Sequence, residues 1–136
     1  MIVADANLIC YFYIKGEFTL DSEQVFEKDS LWISPSLWKS EFRNVLILYL
    51  RKNIISFEEA VSFIENAEND LIHSDYQVKS SNVLDLALAS GCSAYDCEYV
   101  SLAKDLNVPL VTMDKKIIKN FPDIAISMKD FVNNKS

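Results

Sequence analysis

Four carboxylates carry most of the chemistry that this sequence can offer. Asp5 ends the apolar run "MIVA", and Asp114 ends the run "VPLVTM". In an open parallel sheet, ligands bind in the crevice beyond the carboxyl ends of the strands. Two aspartates at such ends converge if their strands are neighbours. Each would also serve as a cap for the helix or turn that follows. Glu41 lies in "SLWKSEFRNVLILYLRK", on the helical face traced by Leu37, Trp38, Phe42, Val45, Leu48 and Tyr49. A glutamate there is costly unless it is paired, protonated or bound to a metal. A salt bridge to a lysine or arginine is the plainer alternative. Asp96, in "SAYDCEYVSLAKDL", is in register with Tyr99, Val100 and Ala103 and is expected to face inward. Glu98 falls with Ser101, Leu102 and Asp105 and is expected to face water. Asp96 also stands in the first turn of its helix, where the dipole favours a negative charge and a capping arrangement with Ser93 is open to it.

Four ionised acids cannot share one place without help. Each pair at about 4 Å repels by roughly 4 kcal/mol at an effective dielectric near about 20. Such a site must hold protons, with raised pKa values, or bind cations. An all-oxygen cluster suits Mg²⁺ or Mn²⁺ rather than a soft metal. These ions can activate a water and steady the leaving oxygen of a phosphodiester.

Other chemistries are poorly supplied. The single histidine, His73, has no obvious partner, which removes most routes to a Ser-His-Asp or Cys-His triad and to a His-rich zinc site. Cys10, Cys92 and Cys97 make no C-x-x-C, cannot all pair, and read as reduced core thiols. A net charge of −7 argues against a broad basic surface for nucleic acid. It leaves open a nuclease in which bound cations supply the positive charge.

The elements that must position these acids follow from periodicity and caps. The 136 residues fit one domain, 1–136, and with half of them hydrophobic they can fill one core. No apolar run approaches the ~20 residues needed to span a bilayer. The start has no basic leader, so the cytoplasm is the expected compartment. Strands are predicted at 2–5, 31–34, 109–113 and 124–127; the first and third are apolar enough for burial on both faces. A helix is predicted over 35–52, with Ser34 as N-cap and Pro35 in the first turn. Another spans 57–72 behind the S-x-x-E capping box of Ser56 and Glu59. A third, 79–90, stops at Gly91, and Ser93 caps a fourth at 94–106. This alternation predicts an α/β fold, a three-layer α/β/α sandwich with a mainly parallel central sheet.

Taken in order, "VADAN", "SEFRNVL" and "SAYDCEYVSLAKDLNVPLVTMD" resemble the PIN-domain ribonucleases and, within them, the VapC-like toxins of type II toxin–antitoxin pairs. The resemblance covers nearly the whole chain. It implies a PIN-like fold and a metal-dependent endoribonuclease that hydrolyses RNA phosphodiester bonds. It casts Asp5, Glu41, Asp96 and Asp114 as the catalytic, Mg²⁺- or Mn²⁺-binding acids, with Asn7 and Thr112 as supporting polar residues. Cys97 stands where such proteins commonly have a small residue such as alanine. Lys115 and Lys116 follow Asp114 with no further acid, so the carboxylate count there rests on Asp114 alone. Lys39, Arg43, Lys115, Lys116 and Lys119 flank the acidic positions and are candidates for phosphate contacts, against the plain reading of solvated charges. Implied partners are an RNA substrate, a small cognate antitoxin and a second copy in a homodimer. The aromatic run Tyr11, Phe12, Tyr13 could serve an interface or the core. Two other readings compete. One is a non-catalytic PIN-like module acting through a protein partner, in keeping with the acidic charge. The other, a receiver-like phospho-acceptor, wants an acidic pair at the first strand, where this chain has Asp5 followed by Ala6 and Asn7.

Overall fold

A computed structural model describes residues 1–134. Its centre is a five-stranded sheet of order β3-β2-β1-β4-β5, parallel at every pairing. The strands are β1 (Ile2–Ala4), β2 (Trp32–Pro35), β3 (Asp75–Tyr76), β4 (Leu110–Val111) and β5 (Ala125–Ile126). Every residue of β1, β2 and β4 is buried, as expected of interior parallel strands covered on both faces.

Helices cover this sheet to give the three-layer arrangement. α1 (Ala6–Tyr13), α3 (Trp38–Arg51) and α4 (Phe57–Asp70) pack together, and α2 (Thr19–Lys28) joins α1 to α8 (Met128–Asn133). α5 (Ser80–Ser90) packs on α6 (Ala94–Leu106), which lies against β1, β2 and β4. α7 (Lys115–Asn120) sits beside β5. The core joins Ile2, Val3, Leu8, Ile9, Trp38, Phe42, Tyr99 and Leu110 in one cluster.

Several helix ends are fixed by the residues the sequence offers for them. Ser56 accepts from the Glu59 N–H while the Glu59 carboxylate accepts from the Ser56 N–H, closing the capping box of α4. α5 stops at Gly91, whose φ of 76° is a left-handed conformation that disfavours any side chain. Ser93 caps α6 by accepting from the Asp96 N–H.

The expected start of α3 is overturned. Ser34 and Pro35 end β2, and the helix begins only at Trp38. The short strand β3, polar and too brief to show an alternating pattern, pairs with both residues and holds them extended. Pro35 has no N–H to offer the neighbouring strand. The Ala4 carbonyl, at the end of β1, instead accepts from the buried Ser34 hydroxyl at 2.6 Å. The apolar face of α3 also shifts slightly: Leu46 is buried and Leu48 is 46% exposed.

The aromatic run on α1 is largely accounted for by packing. Phe12 meets Tyr13, Phe26 and Trp32, Tyr11 meets Phe18, and the Tyr13 hydroxyl donates to Asp70. All three cysteines are buried and unpaired. Among the described residues no helix is long and apolar enough to cross a membrane.

Candidate active site

The sheet order makes β1 the point at which the chain reverses direction across the sheet. β2 lies on one side of it and β4 on the other, and such a switch leaves a crevice at the strands' carboxyl ends. Ala4 pairs with Val111, so the residues that follow each strand emerge side by side. Asp5 and Asp114 leave from these two ends. Glu41 comes from the first turn of α3 and Asp96 from the first turn of α6. All four acids line one cleft of about 390 Å³, together with Asn7, Ser40, Asn44 and Tyr95.

Asp5 is the most deeply held of the four, at 7% exposure. Its Oδ1 accepts from the Ala6 N–H at 2.7 Å, capping α1, and its Oδ2 accepts from the Thr112 hydroxyl at 2.5 Å. Thr112 is fully buried and in turn accepts from the Asp114 N–H at 3.0 Å. One threonine therefore ties the two strand-end acids together across 107 residues of sequence. Burial pushes the Asp5 carboxyl up to about 6; the Thr112 and Ala6 hydrogen bonds oppose the rise, and the charges of Glu41 and Asp96 add to it.

Glu41 has no lysine or arginine partner at salt-bridge distance among the described residues. The buried Tyr99 hydroxyl donates to its Oε1 at 2.6 Å instead. Burial raises the Glu41 carboxyl, the Tyr99 bond opposes this, and the charges of Asp96 and Glu98 reinforce it. Tyr99 was read from the sequence only as an apolar stripe residue. Its pairing with Glu41 depends on α3 meeting α6, which spacing within either helix does not reveal.

Two expectations change. Glu98 is half-buried, not turned to water, and burial raises its carboxyl. Its helical neighbours Ser101 and Leu102 are buried as well, Leu102 in the main core. The strand before Asp114 is shorter than the 109–113 expected, so Asp114 stands three residues beyond its end. β4 ends at Val111, and Asp114 caps α7, its Oδ1 accepting from the N–H groups of Lys116 and Ile117 at 2.9 and 3.1 Å. The capping role foreseen for it is real, and its carboxylate still lines the cleft.

None of the five basic residues lines the cleft. Lys39 pairs with Asp75 at 2.8 Å, Arg43 lies 3.8 Å from Glu68, and the Lys116 ammonium donates to the Gly91 carbonyl at 3.0 Å. Lys115 and Lys119 are exposed.

Among the described residues no three His, Cys, Asp or Glu side chains stand as a ready-made metal cluster. The donor chemistry of the cleft nevertheless fits a hard divalent cation. Its polar lining consists of carboxylates, amides and hydroxyls, with no sulfur, imidazole or basic group among them. Burial raises Asp5 and Glu41 and the neighbouring carboxylates add to the rise, a cost of holding both ionised that a cation would offset.

No family model matches the chain. It is 26% identical over 128 residues to a protein named Ribonuclease VapC3 from Pyrobaculum aerophilum, covering 91% of this chain and 97% of that one. Its fold matches the crystal structure of PAE2754 from Pyrobaculum aerophilum with a TM-score of 0.77, at 17% identity, over 96% of this chain and 92% of that one. Over nearly its whole length the chain is thus similar in sequence to a protein named as a VapC ribonuclease, and it shares its fold with PAE2754.

Proposed function

We propose that the protein is a metal-dependent endoribonuclease, the toxin of a toxin–antitoxin pair, which hydrolyses RNA phosphodiester bonds in this cleft. The observation that carries the reading is the convergence of Asp5, Glu41, Asp96 and Asp114, from four separate segments, on one cleft at the sheet's switch point. The similarity to a protein named as a ribonuclease supports the RNA substrate. A small cognate antitoxin, a homodimeric assembly and a cytoplasmic setting go with the toxin reading.

In this reading the four carboxylates would hold Mg²⁺ or Mn²⁺. When bound, such an ion supplies Lewis-acid activation of water and neutralises charge at the phosphodiester. The chain itself supplies preorganisation. Thr112 and the Ala6 N–H orient Asp5, Tyr99 orients Glu41, and the Ser93 cap fixes the turn that presents Asp96. Asn7, exposed in the cleft, adds a neutral donor and acceptor beside the acids.

Cleavage of a mixed RNA pool with Mg²⁺ or Mn²⁺ tests the reading. Wild type is expected to cleave, and excess chelator and Asp96→Asn each to abolish cleavage. Undiminished cleavage by purified Asp96→Asn protein, or by wild type in excess chelator, would sink the mechanism.

A further inference from the structure

Part of the cleft lining carries no acid. One stripe of α3 runs along the cleft, placing Leu37, Ser40, Asn44 and Val45 at helical spacing around Glu41. Ser40 and Asn44 are exposed there. Tyr95, the second residue of α6, lines the same cleft and is 64% exposed. Among the described residues no other aromatic ring packs against it. A large ring left open beside an acidic centre adds little to the core and presents a free stacking face.

The charges decide what that face suits. Among the described residues no basic side chain lines the cleft, and Lys39, Arg43 and Lys116 are engaged elsewhere. The lining therefore lacks the cationic grip on phosphates that gives most nucleic-acid sites their affinity. Binding that does not come through a metal ion must come from the base. Base–aromatic stacking supplies such affinity and needs no charge. A base inside a duplex is stacked on both sides, whereas an unpaired base can leave its strand and lie on a tyrosine ring. The Asn44 amide and Ser40 hydroxyl each donate and accept, as reading a base edge requires.

We infer that Tyr95, Asn44 and Ser40 form a nucleobase subsite that takes an unpaired nucleotide next to the scissile bond. The base stacks on Tyr95 and its edge meets Asn44 and Ser40. This rests on the ribonuclease reading and deepens it: part of the base preference of cleavage lies on Tyr95 and on the exposed stripe of α3.

The experiment compares wild type, Tyr95→Ala, Tyr95→Trp and Asn44→Ala on a short end-labelled RNA strand, alone and annealed to its complement, with Mn²⁺. Wild type is expected to favour the unpaired strand. Tyr95→Ala should raise KM about tenfold with little change in kcat, Tyr95→Trp should recover most of that loss, and Asn44→Ala should redistribute the product ends. Calorimetric Mn²⁺ affinity should stay unchanged in Tyr95→Ala, separating base binding from the metal site. If wild type cleaves but Tyr95→Ala keeps its KM, or duplex is cut as readily as single strand, the subsite is overturned and the nuclease reading stands. If wild type cleaves neither strand, the nuclease reading fails. Anisotropy of the labelled unpaired strand with Mn²⁺ then decides the subsite: binding weakened by Tyr95→Ala supports it, and binding unaffected by that change overturns it.

Discussion

Tyr99 and Glu41, 58 residues apart, are joined by a hydrogen bond of 2.6 Å from the phenol to the carboxylate. The tyrosine is buried, so its position is set by the core and the carboxylate follows it. Hydrogen bonds to charged groups contribute about 1.5–3 kcal/mol. Tyr99→Phe keeps the ring and removes only the donor. It should leave the fold intact and weaken Mn²⁺ binding by about tenfold or more, read by calorimetry. Wild-type affinity in the phenylalanine variant would show that Glu41 needs no such support.

Asp5 should make the metal-free protein less stable as the pH rises. Its folded pKa of about 6 lies above the ordinary aspartate value of 3.8, so between these values the folded state holds the extra proton. Stability from this group is full below the unfolded value and is lost as pH climbs through about 6. Metal-free Asp5→Asn should therefore exceed wild type at neutral pH by on the order of 2–3 kcal/mol. Denaturant melts should show the gap closing below about pH 4, and a saturating divalent cation should shrink it at neutral pH. A gap that does not depend on pH would contradict the assignment.

Thr112→Val keeps the shape of a fully buried side chain and deletes its hydroxyl. The change removes the donor to Asp5 and the acceptor of the Asp114 N–H. The loss should be on the order of 1–3 kcal/mol in urea unfolding. Thr112→Ser, which keeps the hydroxyl, should recover the polar part of that loss. An equal cost in both variants would mean that only the methyl group matters.

The three thiols should be inert in the native protein. Burial pushes Cys10 up to about 12 and raises Cys97, so the reactive thiolate is scarce at neutral pH, and all three cysteines are buried. A coloured thiol reagent should titrate none of them quickly under native conditions and all three in denaturant. Rapid labelling of native protein would show that the core opens locally.

What the sequence made legible was local. The Ser56–Glu59 box, the Gly91 stop, the Ser93 cap and the buried strands β1 and β4 each announce themselves within a few residues. The four acids could be picked out because a carboxylate on an apolar face or at the end of an apolar run is conspicuous. Their gathering in one cleft depended on β1 and β4 being neighbours, which only the fold decides. Serine before proline signals a helix start equally well wherever it occurs; β3 pairing turned Ser34 and Pro35 into strand. Tyr99 is buried as its place on the apolar side of α6 predicts, but its Glu41 partner comes from another helix, and the partial burial of Glu98 does not follow from the periodicity of α6.

The pairing of β1 with β4 joins two segments more than 100 residues apart in sequence. The acids stand at positions 5, 41, 96 and 114, so no prefix of the chain ending before β4 contains the whole set. Residues up to α4 include Asp5 and Glu41 but not the wall that Thr112 and Asp114 provide. Completion of the cleft thus requires a pairing between segments about 107 residues apart, the kind of long-range contact that slows folding. Under the proposed nuclease reading, a polypeptide that stops short of residue 114 would lack one of the four acids on which cleavage depends.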